Sequence, residues 1–146
     1  MPFASPVTRF ARLPVPERRV VLGATLGLPA VAVLVPLLGP SRLLNARPRV
    51  SRRAHHTVTP SRLVSLVAST GSWLPWHPTC LHRSIVSAWL LGRADWPCTV
   101  VLAVRRPGER VFDAHAWIEV DGVPAEPLPD GSWTSLLRWP MARAPR

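Results

Sequence analysis

The sequence predicts a small α+β domain in which one helix packs on an antiparallel sheet. The spacing of apolar residues is helical up to about residue 92 and alternates with a period of two beyond Pro97. Asp121 and Gly122 form a strong two-residue hairpin signal between two alternating segments. With 47% hydrophobic residues in 146, the chain can bury a core. We expect residues 60–146 to form this domain, preceded by an N-terminal region at residues 1–59.

The N-terminal region contains a long apolar segment. Residues 1–19 are rich in proline and arginine, and we expect them to be poorly ordered. Residues 20–40 carry no charge and are long enough to span a bilayer. Three interpretations stay open: a helix packed on the domain or on a partner, a membrane helix or surface anchor, and an export signal. Residues 41–60 are expected to form a basic, solvated linker.

The remaining elements follow from local signals. Thr79 is a residue type that caps helices, and Gly92 is one that ends them. Pro107 and Gly108 mark a hairpin loop. The expected order is a helix at 61–69, a loop at 72–78, a helix at 80–92, strands at 98–104 and 115–120, a third segment at 123–127, and a tail at 131–146 that covers an edge of the sheet.

The charge of the chain is strongly basic. The net charge is +10, every basic residue is arginine, and only Glu17 among the eight acidic residues precedes position 95. Such a balance is typical of proteins that meet nucleic acid, an anionic membrane or an acidic partner. No aromatic residues are interleaved with a basic sheet, and no basic helix offers base-reading residues. Nucleic acid is therefore not an expected partner.

Cys80 and His115 form the most informative pair in the sequence. Cys80 stands at the expected N-terminus of a helix, where the backbone amides favour a thiolate. His115 begins a short alternating strand that ends in a hairpin turn. A thiol nucleophile needs a stabilised thiolate and an adjacent base. Cys98, in contrast, lies in an apolar strand and is expected to be a buried structural thiol.

A third group is needed to orient the imidazole. Glu119 shares a strand face with His115, but four residues of rise separate the two by about 13 Å. Glu126 lies on the segment that returns alongside the histidine strand, so its carboxylate can approach the ring. We rank Glu126 first, then Asp130, then Asp121.

Two further roles are open at this level. An oxyanion hole can use the backbone N–H of Cys80, with a second donor from Trp73 or Trp76. A zinc site is the main chemical competitor, and its candidate ligands are His77, Cys80, His82 and His115. His82 is expected at the helix surface, on a different face from Cys80. We expect neither a metal nor a cofactor.

Several pieces of the sequence occur in an order and spacing that is specific to one family. They are Pro75 five residues before Cys80, CLxRS at 80–84, WLLGR at 89–93, VR at 104–105 and AHAWIEVDG at 114–122. Together they resemble the leader peptidases of lasso-peptide biosynthesis, which are transglutaminase-like cysteine proteases. The resemblance implies a transglutaminase/papain-like fold, with Cys80 as nucleophile and His115 as base. The family usually places an aspartate soon after the hairpin turn, where this sequence has Glu126.

The resemblance also implies partners. The substrate would be a lasso precursor peptide, presented by a small leader-binding recognition protein, and the freed core would pass to an ATP-dependent macrolactam cyclase. Apart from the resemblance, the apolar residues 20–38 and the arginines at 42–53 predict a cytoplasmic protein held at the inner face of the membrane or against a partner. Two alternatives remain: a transglutaminase-like acyl transferase of other specificity, and a catalytically silent, membrane-associated scaffold of a biosynthetic complex.

Overall fold

The computed structural model describes residues 5–46, 57–109 and 111–141 and shows an α+β architecture. In the described residues, five helices precede four strands, and the strands contain eight, eight, two and eight residues in chain order. The elements are α1 (Pro6–Ala11), α2 (Val15–Leu38), α3 (Pro40–Asn45), α4 (Pro60–Ser72), α5 (Cys80–Arg93), β1 (Cys98–Arg105), β2 (Asp113–Val120), β3 (Val123–Pro124) and β4 (Thr134–Met141).

The strands form one antiparallel sheet in the order β3-β2-β1-β4. In β1 and β2, Val100 pairs with Ile118 and Ala103 pairs with His115. Asp121 and Gly122 adopt positive φ angles of 53° and 76°, as a tight turn between β2 and β3 requires. The expected hairpin is therefore confirmed.

Helices α2 to α5 pack on one side of this sheet. Ile85 and Leu91 of α5 meet Val100 and Ile118 of the sheet in one core, which also takes in residues of α2, α3 and α4. A second, small cluster lies on the other side of the sheet; it consists of Val101, Ala103 and Trp117, with Leu128 and Trp133 packed against them. We call the two sides of the sheet the helix side and the outer side.

The apolar segment forms most of α2, and α2 packs directly on the rest of the domain. Its residues Val20, Ala24, Leu28 and Val31 recur at helical spacing and are fully or almost fully buried in the main core. A Cβ at Gly23 would lie 2.8 Å from Leu90 Cδ2, so glycine lets α2 approach α5 closely. Of the open interpretations, packing on the domain is the one that the structure displays.

By length and composition, α2 is also able to cross a membrane. Its most apolar window has a mean hydropathy of 2.3, and 22% of that window is buried inside the protein. Within the described residues it is the single helix that meets this criterion.

Two expectations about the N-terminal region were wrong. Residues 6–11 and the start of α2 are helical, where we expected poor order. Ser5 caps α1, and the guanidinium of Arg18 donates hydrogen bonds to the carbonyls of Leu13 and Ala11. Residues 40–45 form α3 rather than the start of a linker, and Leu43 and Leu44 are buried there. The arginines at 47, 49, 52 and 53 and the two histidines at 55 and 56 lie outside the described residues.

The C-terminal tail was expected to cover an edge, and the structure shows that it does so as a strand. β4 pairs with β1 through most of its length, with an irregularity near Leu102. Trp139 and Met141 reach the main core, while Leu136 and Leu137 are about half exposed. Pro140 lies in β4, where an edge strand tolerates the missing N–H.

Candidate functional site

Cys80 is the first residue of α5. The hydroxyl of Thr79 accepts a hydrogen bond from the backbone N–H of His82, and Nδ1 of His82 accepts one from the backbone N–H of Thr79. This reciprocal capping fixes the end of the helix at which the thiol is held. His82 is half-buried, and burial lowers its pKa. Its structural role is therefore to cap α5, which the sequence did not reveal.

The loop before Cys80 contains a strained residue. His77 has a φ of 46°, which is uncommon for a residue other than glycine, and it directly precedes Pro78. The Pro78 ring covers Gly71, where an added Cβ would lie 3.1 Å from Cγ. These contacts set the position of the loop that leads into the thiol. Trp73 and Trp76, the proposed sources of an oxyanion donor, are 56% and 40% exposed.

His115 lies on the outer side of the sheet, in β2. Its ring stacks on Trp117 with centroids 6.0 Å apart and lies 5.7 Å from the ring of Trp133. Burial lowers the pKa of His115, and the positive charges of Arg83 and Arg105 lower it further. The imidazole is therefore held neutral to a lower pH than usual, which is the state that a general base requires.

Arg105 fixes the loop that covers His115. Its Nε donates to the carboxylate of Asp113 at 3.0 Å, and its NH1 group donates to the backbone carbonyl of Asp130. Its guanidinium also lies over the ring of Trp133, 4.7 Å from the centroid. The loop and its tryptophan are thereby held against the histidine.

Glu126 lies near the first turns of α5. It lines a cavity of about 10 Å³, about the size of one water molecule, between α4, α5 and β2. Burial raises the pKa of the Glu126 carboxyl, and the charge of Arg83 lowers it in part. Arg83 lines the same cavity, and its Nε is buried without a hydrogen-bond partner in the described part of the chain.

The other carboxylates have different surroundings. Glu119 pairs with Arg138 and accepts a hydrogen bond from Nε1 of Trp117, so it has a structural role. Asp121 occupies the exposed hairpin turn. Asp130 is exposed and lies on the loop held by Arg105. Of the three ranked acids, Glu126 is the one that is half-buried beside α5.

The candidate residues lie on or beside elements that contact one another, but no described contact joins them. Arg83 stands one turn after Cys80 on α5, and its charge reaches both His115 and Glu126. Across residues 5–46, 57–109 and 111–141, no hydrogen bond or ion pair links Cys80 to His115 or His115 to Glu126. Catalytic hydrogen bonds are often long before substrate binds and shorten in the complex.

Neither cysteine forms a disulfide, and their surroundings differ. Cys98 is buried on the helix side of β1, and burial raises its pKa to about 12. Its expected role as a buried structural thiol is confirmed. Cys80 is half-buried. Among the described residues, no group of three or more histidine, cysteine, aspartate or glutamate side chains is placed to hold a metal ion.

Three residues of the site escaped the sequence reasoning. Arg83 belonged to the quoted CLxRS motif, and its spacing of three from Cys80 could have placed it on the same side of the helix. Arg105 was quoted only as part of the VR piece at 104–105, and Trp133 was assigned only to the tail. Their contacts with each other and with His115 join segments distant in sequence, so no local signal announces them.

Comparison with known proteins agrees with this architecture. Residues 24–137 match the transglutaminase-like superfamily, a span that begins within α2 and ends within β4. No curated protein and no solved structure matches the chain. Members of this superfamily are usually cysteine-type enzymes, with protease or acyl-transfer chemistry. Since the match covers most of the sequence, the chain belongs to the transglutaminase-like superfamily.

Proposed function

We propose that the protein is a cysteine peptidase that removes the leader from a lasso-peptide precursor. The observation that carries this proposal is Cys80 at the capped N-terminus of α5 in a transglutaminase-like domain, with His115 on the adjacent sheet. The resemblance of the CLxRS and HAWIEVDG pieces to leader peptidases supplies the substrate class.

The chemistry follows from these groups. The Cys80 thiolate attacks the scissile carbonyl, and a thioester forms to the leader's carboxyl group. His115, protonated by the thiol, gives its proton to the leaving amine of the core peptide. His115 then activates a water, which hydrolyses the thioester and releases the leader with a free carboxylate. Glu126 holds the imidazole in the required orientation.

The partners follow from the substrate. A small leader-binding recognition protein presents the precursor, and an ATP-dependent macrolactam cyclase takes the freed core. These reactions belong in the cytoplasm, where the precursor is synthesised. A membrane surface is the remaining proposed partner, and nucleic acid is not one.

The test is a reconstituted cleavage. The precursor, the recognition protein and this protein are incubated together, and the products are weighed by mass spectrometry. We expect the leader with a free carboxylate, and we expect Cys80→Ala and His115→Ala each to lower the rate by at least about a thousandfold. Circular dichroism of both variants should match the wild type, because neither side chain belongs to the main core.

Other products point to the alternatives. An amide formed with an added amine, in place of a free carboxylate, would indicate an acyl transferase, which the superfamily also allows. An uncut precursor, under conditions where the recognition protein binds the leader, would contradict the peptidase proposal. That result would favour the catalytically silent scaffold.

A further inference from the structure

The side of α2 that faces away from the core is as apolar as the side that is buried. Leu22, Leu26, Val33 and Leu37 are 54%, 76%, 61% and 71% exposed. Their spacing of four, seven and four residues places them in one stripe opposite the buried residues. We call these four residues the outer stripe. An exposed apolar stripe of this length marks an interaction surface.

The packing of α2 restricts what this surface can meet. Gly23 and Gly27 hold α2 close to Leu90 and Val86 of α5. A bidentate ion pair between Glu17 and Arg62 ties its N-terminal end to α4. If α2 crossed a bilayer, these contacts would break and the main core would be exposed. A helix that keeps them can only lie along a surface.

The prolines of α2 leave two backbone carbonyls without a helical donor, and an interface with water can satisfy both. Pro29 and Pro36 lack the N–H groups that would otherwise bond to the carbonyls of Thr25 and Ala32. In hydrocarbon, a carbonyl that loses its donor is costly, whereas at an interface water can satisfy it. Both prolines are exposed.

A cleft beside the outer stripe supplies the complementary charge. It has a volume of about 730 Å³, lies between α2 and α5, and contains Arg19 and Arg93 but no acidic residue in its lining. Leu26 belongs both to this lining and to the outer stripe, so the cleft and the stripe form one surface. A phospholipid fits this combination, because its phosphate can accept hydrogen bonds from the two guanidinium groups and its acyl chains can contact the apolar lining.

We propose that α2 lies in the plane of an anionic phospholipid bilayer, with the outer stripe in the acyl boundary and Arg19 and Arg93 on lipid phosphates. This goes beyond the proposed peptidase activity and does not rest on it. Cys80 and Arg93 are the two ends of α5, so the site would lie about 20 Å along the helix from the lipid contact. The domain would then be held at the membrane with its candidate site away from the lipid contact.

Sedimentation with vesicles tests this on the full chain. One set contains equal amounts of phosphatidylcholine and phosphatidylglycerol, and the other contains phosphatidylcholine alone. We expect binding to the anionic set, release by alkaline carbonate, and weaker binding at high salt. Arg19→Gln and Arg93→Gln should each weaken binding roughly fivefold, because each removes one arginine from the lipid contact. The double variant Leu26→Asn/Val33→Asn should weaken binding at least about tenfold.

The matched control is Val123→Asn, which changes an apolar residue that is 64% exposed and lies on β3, at the edge of the sheet. It should leave binding unchanged. The proposal is overturned if the chain ignores anionic vesicles, if the stripe variants bind as the wild type does, or if carbonate fails to release the protein, which would indicate a spanning helix. A stripe variant that dissociates a dimer in light scattering, without affecting vesicle binding, would assign the surface to a second copy. If a stripe variant unfolds, the two arginine variants decide the question.

Discussion

The two sides of the sheet are built for different purposes. On the helix side, Val100 and Ile118 are at most 1% exposed and join a core that extends through four helices. On the outer side, three apolar residues are buried beneath one loop, and Glu119 is buried where it pairs with Arg138. His115 and Arg105 are the partly exposed groups of this side. Strand alternation thus gives the helix side its apolar core residues and gives the outer side His115 with its polar and aromatic neighbours.

The difference shows what the site requires. Cys80 belongs to the helix layer, whereas His115 belongs to the outer side of the sheet. A proton transfer between them needs the two side chains to meet within about 3 Å. Arg83, in the first turn of α5, is the residue whose charge lowers the pKa of both His115 and Glu126.

The largest expected effect concerns Glu126, the first-ranked candidate for orienting His115. If its carboxylate orients His115, then Glu126→Gln should slow leader cleavage by roughly a hundred- to ten-thousandfold, because the neutral amide no longer stabilises the imidazolium. The rate constant for cleavage at saturating precursor is the measurement.

Asp130→Asn is the matched control for this change. Asp130 is exposed, and the described contact to Arg105 uses its backbone carbonyl, which the substitution retains. A full rate in Glu126→Gln combined with a slow rate in Asp130→Asn would move the orienting role to Asp130.

The second prediction tests the helix side. Ile118→Ala removes a side chain that is 1% exposed, and we expect it to lower the free energy of unfolding by about 2–5 kcal/mol. Urea denaturation followed by circular dichroism is the measurement. Val123→Ala, at a 64% exposed position on the neighbouring strand, should change it by less than about 0.5 kcal/mol. Equal losses in both variants would show that the buried contacts of Ile118 do not stabilise the domain more than an exposed position does.

The sequence predicted the helix side well because its signals are local. The apolar period of α5, the cap at Thr79 and the turn at Asp121 and Gly122 each depend on neighbouring residues, and all three appear in the structure. The strand character of β4 was missed because residues 134–141 include a proline and do not alternate cleanly. Its pairing with β1 is a tertiary contact.

The site was less predictable for the same reason. The sequence indicated Cys80, His115 and Glu126 as candidates, and their catalytic roles stay predictions. The contacts that surround His115 come from Trp133, 18 positions later, and from Arg105, 10 positions earlier. Such contacts depend on how the loop folds over the sheet. The helical structure within residues 6–19 likewise depends on the packing of α2. The proline and arginine content of this segment does not indicate that packing.

A smaller effect is expected at Cys98, whose burial distinguishes it from Cys80. Cys98 is 5% exposed in the main core, so Cys98→Ser buries a hydroxyl and should cost about 1–3 kcal/mol of stability. Cleavage by the folded variant should proceed at the wild-type rate. Alkylation of the native protein should label Cys80 and spare Cys98, which a mass map of the peptides would show. Labelling of Cys98 at a similar rate would mean that the core opens readily.

The smallest expected effect is a shift in pH dependence caused by Arg83. Its positive charge disfavours the imidazolium of His115 and favours the carboxylate of Glu126, so Arg83→Gln should raise the pKa of both groups. Burial, the larger cause at His115, remains, and the pKa of His115 should therefore stay below 6.5. Because a general base must be neutral, the acidic limb of the cleavage profile should move to higher pH. Arg83→Lys keeps the charge and should move it less. NMR titration of the His115 ring measures the same pKa shift independently of activity. If the cleavage rate falls equally at every pH and the NMR titration does not move, the role of Arg83 is to pack over Gly71.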